Sequence, residues 1–154
     1  MPKAAFSISP VADLRCEADS FRYNAKNDVA PMRSWTVWTN MYISDNDPTN
    51  PILSPMFGNF EGLPPLCICV GTHEIHYDDC VNIAEKAKKS GVIVNLMVWE
   101  KMIHAFPLLT PIFPEAKKAF EEVCMFIKEQ IIPMLNSIQS NNFKNGYSGI
   151  NLSF

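Results

Sequence analysis

Two titratable residues with complementary chemistry, Glu74 and His104, each stand a few positions past an apolar run. The first run, residues 66–70, leads into Gly71-Thr72-His73-Glu74-Ile75-His76-Tyr77-Asp78-Asp79. The second, residues 92–99, leads into Glu100-Lys101-Met102-Ile103-His104-Ala105-Phe106. A carboxylate can hold an imidazole in one tautomer and stabilise it once protonated, so that the imidazole serves first as general base and then as general acid. This requires the two groups to meet at about hydrogen-bond distance. Local sequence leaves two arrangements open: a working dyad, or a surface glutamate and a loop histidine that never meet. The same acidic loop contains His73, His76, Asp78 and Asp79, which are types a metal could use. However, a His-x-x-His in a loop is a weak signal, and Asp79 is expected to point into a helix start. Asp45 and Asp47 lack the glycine and closing glutamate of a calcium loop and read as a solvated turn. No metal and no cofactor are expected.

The elements that must position the pair follow from the pattern around it. Residues 66–70 carry no polar side chain other than thiols and are bounded by Pro65 and Gly71, as suits a central parallel strand covered on both faces. Cys67 and Cys69 alternate along it and so share a face. Asp78 or Asp79 is expected to start a helix, with acid at the positive end of its dipole. Cys80, Ile83, Ala84 and Ala87 form the apolar stripe of that helix, and Gly91 is its left-handed stop. Residues 92–99 are rich in β-branched types and read as a strand, completing a β-α-β unit. Both titratable residues then lie past the carboxyl ends of strands, where ligands gather in open α/β sheets.

Toward the N-terminus, residues 4–8 are expected to form a short buried strand stopped by Ser9-Pro10. Residues 11–33 read as irregular. A helix is expected from Ser34 as N-cap, with Trp35, Trp38, Met41 and Tyr42 packing into the core. Residues 44–65 form a long proline-rich loop. Pro114 opens a last helix whose buried stripe is Ala116, Phe120, Val123 and Ile127, and Pro133 is expected to end it. The chain thus divides into residues 1–135, a single α/β unit, and residues 136–154, a polar tail expected to be mobile.

Composition narrows the function classes. At 154 residues the chain fits one domain, with 47% apolar residues to build a core. A net charge of −3 argues against nucleic acid or an anionic membrane as the main partner. No apolar run approaches the roughly 20 residues of a membrane span, and the start Met-Pro-Lys-Ala-Ala-Phe lacks the layout of a signal peptide. Five scattered cysteines without a Cys-x-x-Cys read as buried free thiols, which places the chain in the cytosol by default.

Longer stretches carry a resemblance. Ser54-Pro55-Met56-Phe57, Leu63-Pro64-Pro65, Val70-Gly71-Thr72-His73-Glu74 with Asp78-Asp79, and Val98-Trp99 through His104-Ala105-Phe106 resemble the C-terminal half of α/β-hydrolases, in the hormone-sensitive-lipase-like carboxylesterase branch. The match runs from about Lys3 to Ile127. It implies a partial α/β-hydrolase fold of about three parallel strands with flanking helices. It also implies catalytic roles for Glu74 as acid and His104 as base, with Asp78 as the fallback acid should the register slip. His76 departs from the pattern, since an apolar residue usually stands there. An ester as small-molecule substrate and homodimerisation are further expectations of the resemblance.

One part of that family's machinery has no counterpart in the sequence. The triad runs Ser, then Asp or Glu, then His, with the serine at a Gly-x-Ser-x-Gly elbow, and no such pentapeptide occurs here. Gly146-Tyr147-Ser148-Gly149 is nearest, but it has the wrong spacing and follows the histidine. The oxyanion loop is missing as well. The expectation is therefore a fragment of a carboxylic ester hydrolase that supplies acid and histidine, partnered by the N-terminal half of such a domain. The alternative is a non-catalytic remnant or interaction protein built on half the fold. With part of the sheet absent, an unpaired edge and an apolar face should lie exposed.

Overall fold

The run Leu66–Gly71 forms the central strand, β2, of a three-stranded parallel sheet. The structure is a computed structural model and describes residues 2–30 and 32–144. Strand β1 (Ala5–Ile8) flanks β2 on one side, with Ala5 opposite Leu66. Strand β3 (Val94–Trp99) flanks it on the other, with Leu66 opposite Val94 and Gly71 opposite Trp99. Side-chain alternation along β2 explains its lack of a polar face. Ile68 and Val70 pack with Cys80, Ile83, Ala84, Ala87 and Phe60, whereas Cys67 and Cys69 pack with Met97, Phe106, Ala116, Ala119, Val123 and Phe126. Each face of the strand thus meets its own helix.

Helix α1 is a single turn, Ser20–Tyr23, inside a segment expected to be irregular. Helix α2 spans Met32–Ile43, so Ser34 lies within it rather than capping it. Helix α3 (Tyr77–Lys89) carries Asp78 and Asp79 in its first turn. It ends as expected: Gly91 has φ +79°, its N–H donates to the Lys88 carbonyl at 3.0 Å, and the Val92 N–H donates to Ala87 at 3.0 Å. That pair of bonds is the Schellman closure. Helix α4 begins at Pro114 and continues through Pro133 to Lys144, so Pro133 does not end it. Proline removes one N–H and crowds one carbonyl, and here it sits on an exposed position. The buried stripe of α4 is Ala116, Ala119, Val123 and Phe126, while Phe120 is exposed. The small Ala116 and Ala119 side chains set the face that meets the sheet.

Two further expectations are corrected. Strand β1 is half-buried rather than buried, since among the described residues it pairs on one side only, and Phe6 is 50% exposed. The stripe Trp38, Met41 and Tyr42 faces outward; α2 instead turns Thr39 and Ile43 inward, with Trp35 half-buried. The long loop before β2 is anchored: buried Ser54 accepts the Leu14 N–H at 2.9 Å, and the Met56 N–H donates to the Ala12 carbonyl at 2.9 Å. Asp47 closes its own turn by accepting from the Thr49 N–H and hydroxyl. Among the described residues no helix is long and apolar enough to cross a membrane. Gly146 to Gly149 lie outside the described residues.

Candidate active site

The acid loop leaves β2 at Gly71 and folds back at once. The Gly71 N–H donates to Glu74 Oε1 at 2.6 Å, and the Glu74 N–H donates to the Gly71 carbonyl at 3.2 Å. Gly71 is required by space: a Cβ there would fall under 3.0 Å from the Met102 backbone. This close approach lets two loops run side by side. The Thr72 N–H donates to Trp99 O at 2.9 Å, the His73 N–H to Met102 O at 3.1 Å, and the Lys101 N–H to Thr72 Oγ1 at 2.8 Å. From the other side, the buried Asn24 amide donates to both the Thr72 and Glu74 carbonyls at 2.8 Å, and Ser20 Oγ donates to the Ile75 carbonyl at 2.6 Å.

The histidine loop is bent by two residues in the left-handed region, Lys101 (φ 61°) and Ala105 (φ 54°), and the Ala105 N–H donates to Ser9 Oγ at 3.0 Å. This geometry sets His104 Nδ1 3.4 Å from Glu74 Oε2. The distance is beyond that of a well-formed hydrogen bond, and the contact lacks the directionality of one. Glu74 is fully buried, and the His104 side chain is 23% exposed. Asp78, the fallback acid, is engaged elsewhere: Oδ2 accepts the Ser20 N–H and Oδ1 accepts the Tyr23 hydroxyl, both at 2.8 Å. The structure therefore brings Glu74, not Asp78, to His104.

Burial pushes the Glu74 carboxyl above the usual carboxylate range. His104, the Gly71 N–H and the Ser9 hydroxyl oppose that shift by stabilising the charged form. Nδ1 is the ring nitrogen nearest the carboxylate, which leaves Nε2 as the one free to meet a reacting group. His76 lies fully buried against this pair. Its ring meets Trp35 edge-on at 4.6 Å, Phe21 at 5.1 Å and His104 at 5.4 Å between centroids. Among the described residues neither of its ring nitrogens has a hydrogen-bond partner. Burial, reinforced by His104, pulls it down to about 4, so it is neutral near pH 7. Trp35 also meets the His104 ring, at 5.7 Å, and is thus part of the wall around the pair rather than of the core. His73, His76, Asp78 and Asp79 do not converge: among the described residues no group of three or more His, Cys, Asp or Glu could hold a metal ion.

Comparison with known proteins identifies the fold that carries these two loops. A family model described as the alpha/beta hydrolase fold matches residues 1–108. The chain belongs to the α/β hydrolase-fold family. It is 35% identical over 132 residues to an acetyl-hydrolase of Streptomyces hygroscopicus, a match covering 83% of this chain and 43% of that protein. It is 33% identical over 128 residues to an esterase of Acinetobacter venetianus, covering 82% and 42% respectively. Among solved structures, EstE5 superposes with a TM-score of 0.82 at 39% identity, over 84% of this chain and 44% of that one. An esterase from the bacterial hormone-sensitive lipase family does so with a TM-score of 0.82 at 32% identity, over 85% and 44%. The chain spans less than half the length of these hydrolases, as the C-terminal half of such a domain does. The three parallel strands and flanking helices expected for this fold are all present.

Sequence reasoning missed the residues that hold the two loops in place: Ser9, Ser20, Asn24 and Asp28. One signal was available. Ser20, Asn24 and Asp28 recur every four positions in a segment with no apolar period, which is a pattern of side chains that satisfy backbone rather than pack.

Proposed function

We propose that this chain supplies the acid and the general base of a serine-type carboxylic ester hydrolase, and that a further segment supplies the nucleophile and oxyanion donors. In this reading His104 Nε2 takes the proton of the nucleophilic hydroxyl as that oxygen attacks the ester carbonyl. Glu74 holds the opposite N–H and stabilises the imidazolium. The imidazolium then gives its proton to the departing alkoxide, and water repeats the sequence to release the acid. The observation that supports it is the 3.4 Å approach of His104 Nδ1 to the buried Glu74 carboxylate at the carboxyl edge of the sheet. Small uncharged esters of short acyl chain fit best: one relative is named an acetyl-hydrolase, and EstE5 was soaked with p-nitrophenyl butyrate. The five free cysteines, three of them buried, fit a reducing compartment, and we assign the chain to the cytosol.

The test is a chimera in which the N-terminal part of EstE5 precedes the 154-residue chain, assayed with p-nitrophenyl butyrate. The chain alone is expected to show no rate above buffer, and the folded chimera to hydrolyse the ester. His104→Ala should cost roughly 10³-fold or more in kcat, and Glu74→Ala on the order of 10²-fold or more. A folded, active chimera indifferent to His104→Ala would overturn the assignment. The second reading, a non-catalytic protein on half the fold, is favoured by the exposed apolar face of α2. It predicts a folded chimera with no turnover.

A further inference from the structure

The two loops that carry Glu74 and His104 are joined by a single side chain from a third place in the sequence. Asp28 lies just after α1. Its Oδ2 accepts the Ile75 N–H at 2.8 Å, and its Oδ1 accepts the His104 N–H at 3.0 Å. The Ala30 N–H shares Oδ1 at 3.3 Å, which orients the carboxylate from its own loop. No other acceptor among the described residues takes either the Ile75 or the His104 N–H. One of these amides belongs to the residue after the acid, and the other to the histidine itself. They lie 47 and 76 positions from Asp28.

We infer that Asp28 is a positioning residue, whose carboxylate clasps the acid loop to the histidine loop and so sets the separation of Glu74 and His104. The inference rests on Glu74 and His104 being the dyad proposed above. The chemistry of the clasp needs a carboxylate specifically. Two peptide N–H groups converge on one side chain, one at each oxygen, so both of its oxygens must accept. An amide of the same size offers one acceptor and turns an N–H₂ against the other peptide N–H. Asp28→Asn therefore keeps the volume and releases one loop. A residue that merely fills space would tolerate that change.

The spacing within the site makes the clasp consequential. Glu74 Oε2 and His104 Nδ1 already stand at 3.4 Å, beyond a well-formed hydrogen bond. A further displacement of either loop takes the carboxylate out of reach and lets the imidazole exchange tautomers. A shift of about 1 Å from a remote change can cost on the order of 100-fold in rate.

The experiment is nitrogen-15 NMR of the His104 imidazole in the 154-residue chain, in wild type, Asp28→Asn and Val92→Ala. The last variant loosens the core under α3, in a cluster that contains no residue of either loop, and controls for general destabilisation. Wild type should show His104 protonated at Nδ1. Asp28→Asn should show mixed tautomers, with exchange of the Ile75 and His104 amides accelerated at least about tenfold, and Val92→Ala should show neither effect. In the chimera, Asp28→Asn should lower kcat and leave KM unchanged. A wild-type tautomer and wild-type amide protection in Asp28→Asn would overturn the clasp. Should Asp28→Asn not fold, couplings across the hydrogen bonds from the Ile75 and His104 nitrogens to the Asp28 carboxyl carbon decide the matter in wild type: both present supports the clasp, both absent overturns it. Failure of the hydrolase reading shows in the chimera's response to His104→Ala, whereas failure of the clasp shows in these spectra.

Discussion

At the scale of the residue, His76 is the position that the surrounding structure satisfies least. It stands where the resemblance leads one to expect an apolar side chain, and Phe21 and Trp35 pack edge-on against it beside the His104 ring. A buried polar group without a partner costs about 1–3 kcal/mol, so His76→Leu should stabilise the chain at neutral pH. The pH dependence has a definite sign. The folded value, about 4, lies below the ordinary 6.5, so in this interval the unfolded chain binds the proton first. Stability from this group is complete above pH 6.5 and is lost as pH falls through 6.5 toward 4, with a total on the order of 3 kcal/mol. Asp79 acts in the opposite sense: burial raises it from 3.8 to about 7, so its contribution is full below 3.8 and is lost as pH rises through 7. The two windows overlap, and only a difference isolates His76. Urea midpoints of wild type and His76→Leu, measured from pH 4 to 8, should diverge steadily below pH 6.5. Parallel curves would show that His76 carries no such penalty.

At the scale of the element, what positions the site is the contact between the turn after β2 and the turn after β3, and Gly71 is its tightest point. Gly71→Ala would drive a Cβ into the Met102 backbone, which cannot rotate away as a side chain end could. The histidine loop must then lift, at a cost of about 3 kcal/mol or more. A melt of Gly71→Ala should fall accordingly, and the Nδ1-protonated state of His104 should vanish with it. An unchanged melting temperature would mean that the two loops are not in contact. The β2-α3-β3 unit could be read from sequence because its signals are local: an apolar run long enough for one strand, acid at a helix start, and a glycine at its stop. The approach of Glu74 to His104 followed, because each partner trails its strand. The face of α2 could not be read in this way. Periodicity marks Trp38, Met41 and Tyr42 as one stripe, but it does not say which stripe finds a partner, and the inward positions are Thr39 and Ile43. The segment between β1 and α2 has no period at all. Its order comes from Ser20, Asn24 and Asp28 bonding to backbone far away in sequence, and those partners are known only once the fold is formed. Pro133 misled for a simpler reason: a proline weakens a helix without having to end it, and at an exposed position water can take the freed carbonyl.

At the scale of the whole molecule, the balance between covered and uncovered apolar surface is uneven. Both faces of β2 are sealed by α3 and α4, yet α2 presents Trp38 at 61%, Met41 at 76% and Tyr42 at 68% exposure, and β1 presents Phe6 at 50% beside a strand edge that no described residue pairs. Burying one such large side chain is worth about 1.5–3 kcal/mol, so two copies that cover these positions gain more than a net charge of −3 opposes. The 154-residue chain is therefore expected to self-associate at tens of micromolar, which sedimentation velocity will show as concentration-dependent boundaries. Two variants distinguish the routes. Trp38→Glu combined with Met41→Lys removes the apolar face and leaves the strand edge, whereas Phe6→Lys places a charge on the edge and leaves the helix. Because the helix offers the larger side chains at the higher exposure, the double variant should sediment as a monomer, with Phe6→Lys only partly dissociated. If both variants associate as wild type does, the exposed α2 face and the β1 edge are not what holds the copies together. If wild type is itself monomeric at these concentrations, the uncovered surface is too dispersed to bind a second chain, and the non-catalytic reading loses the observation that favours it.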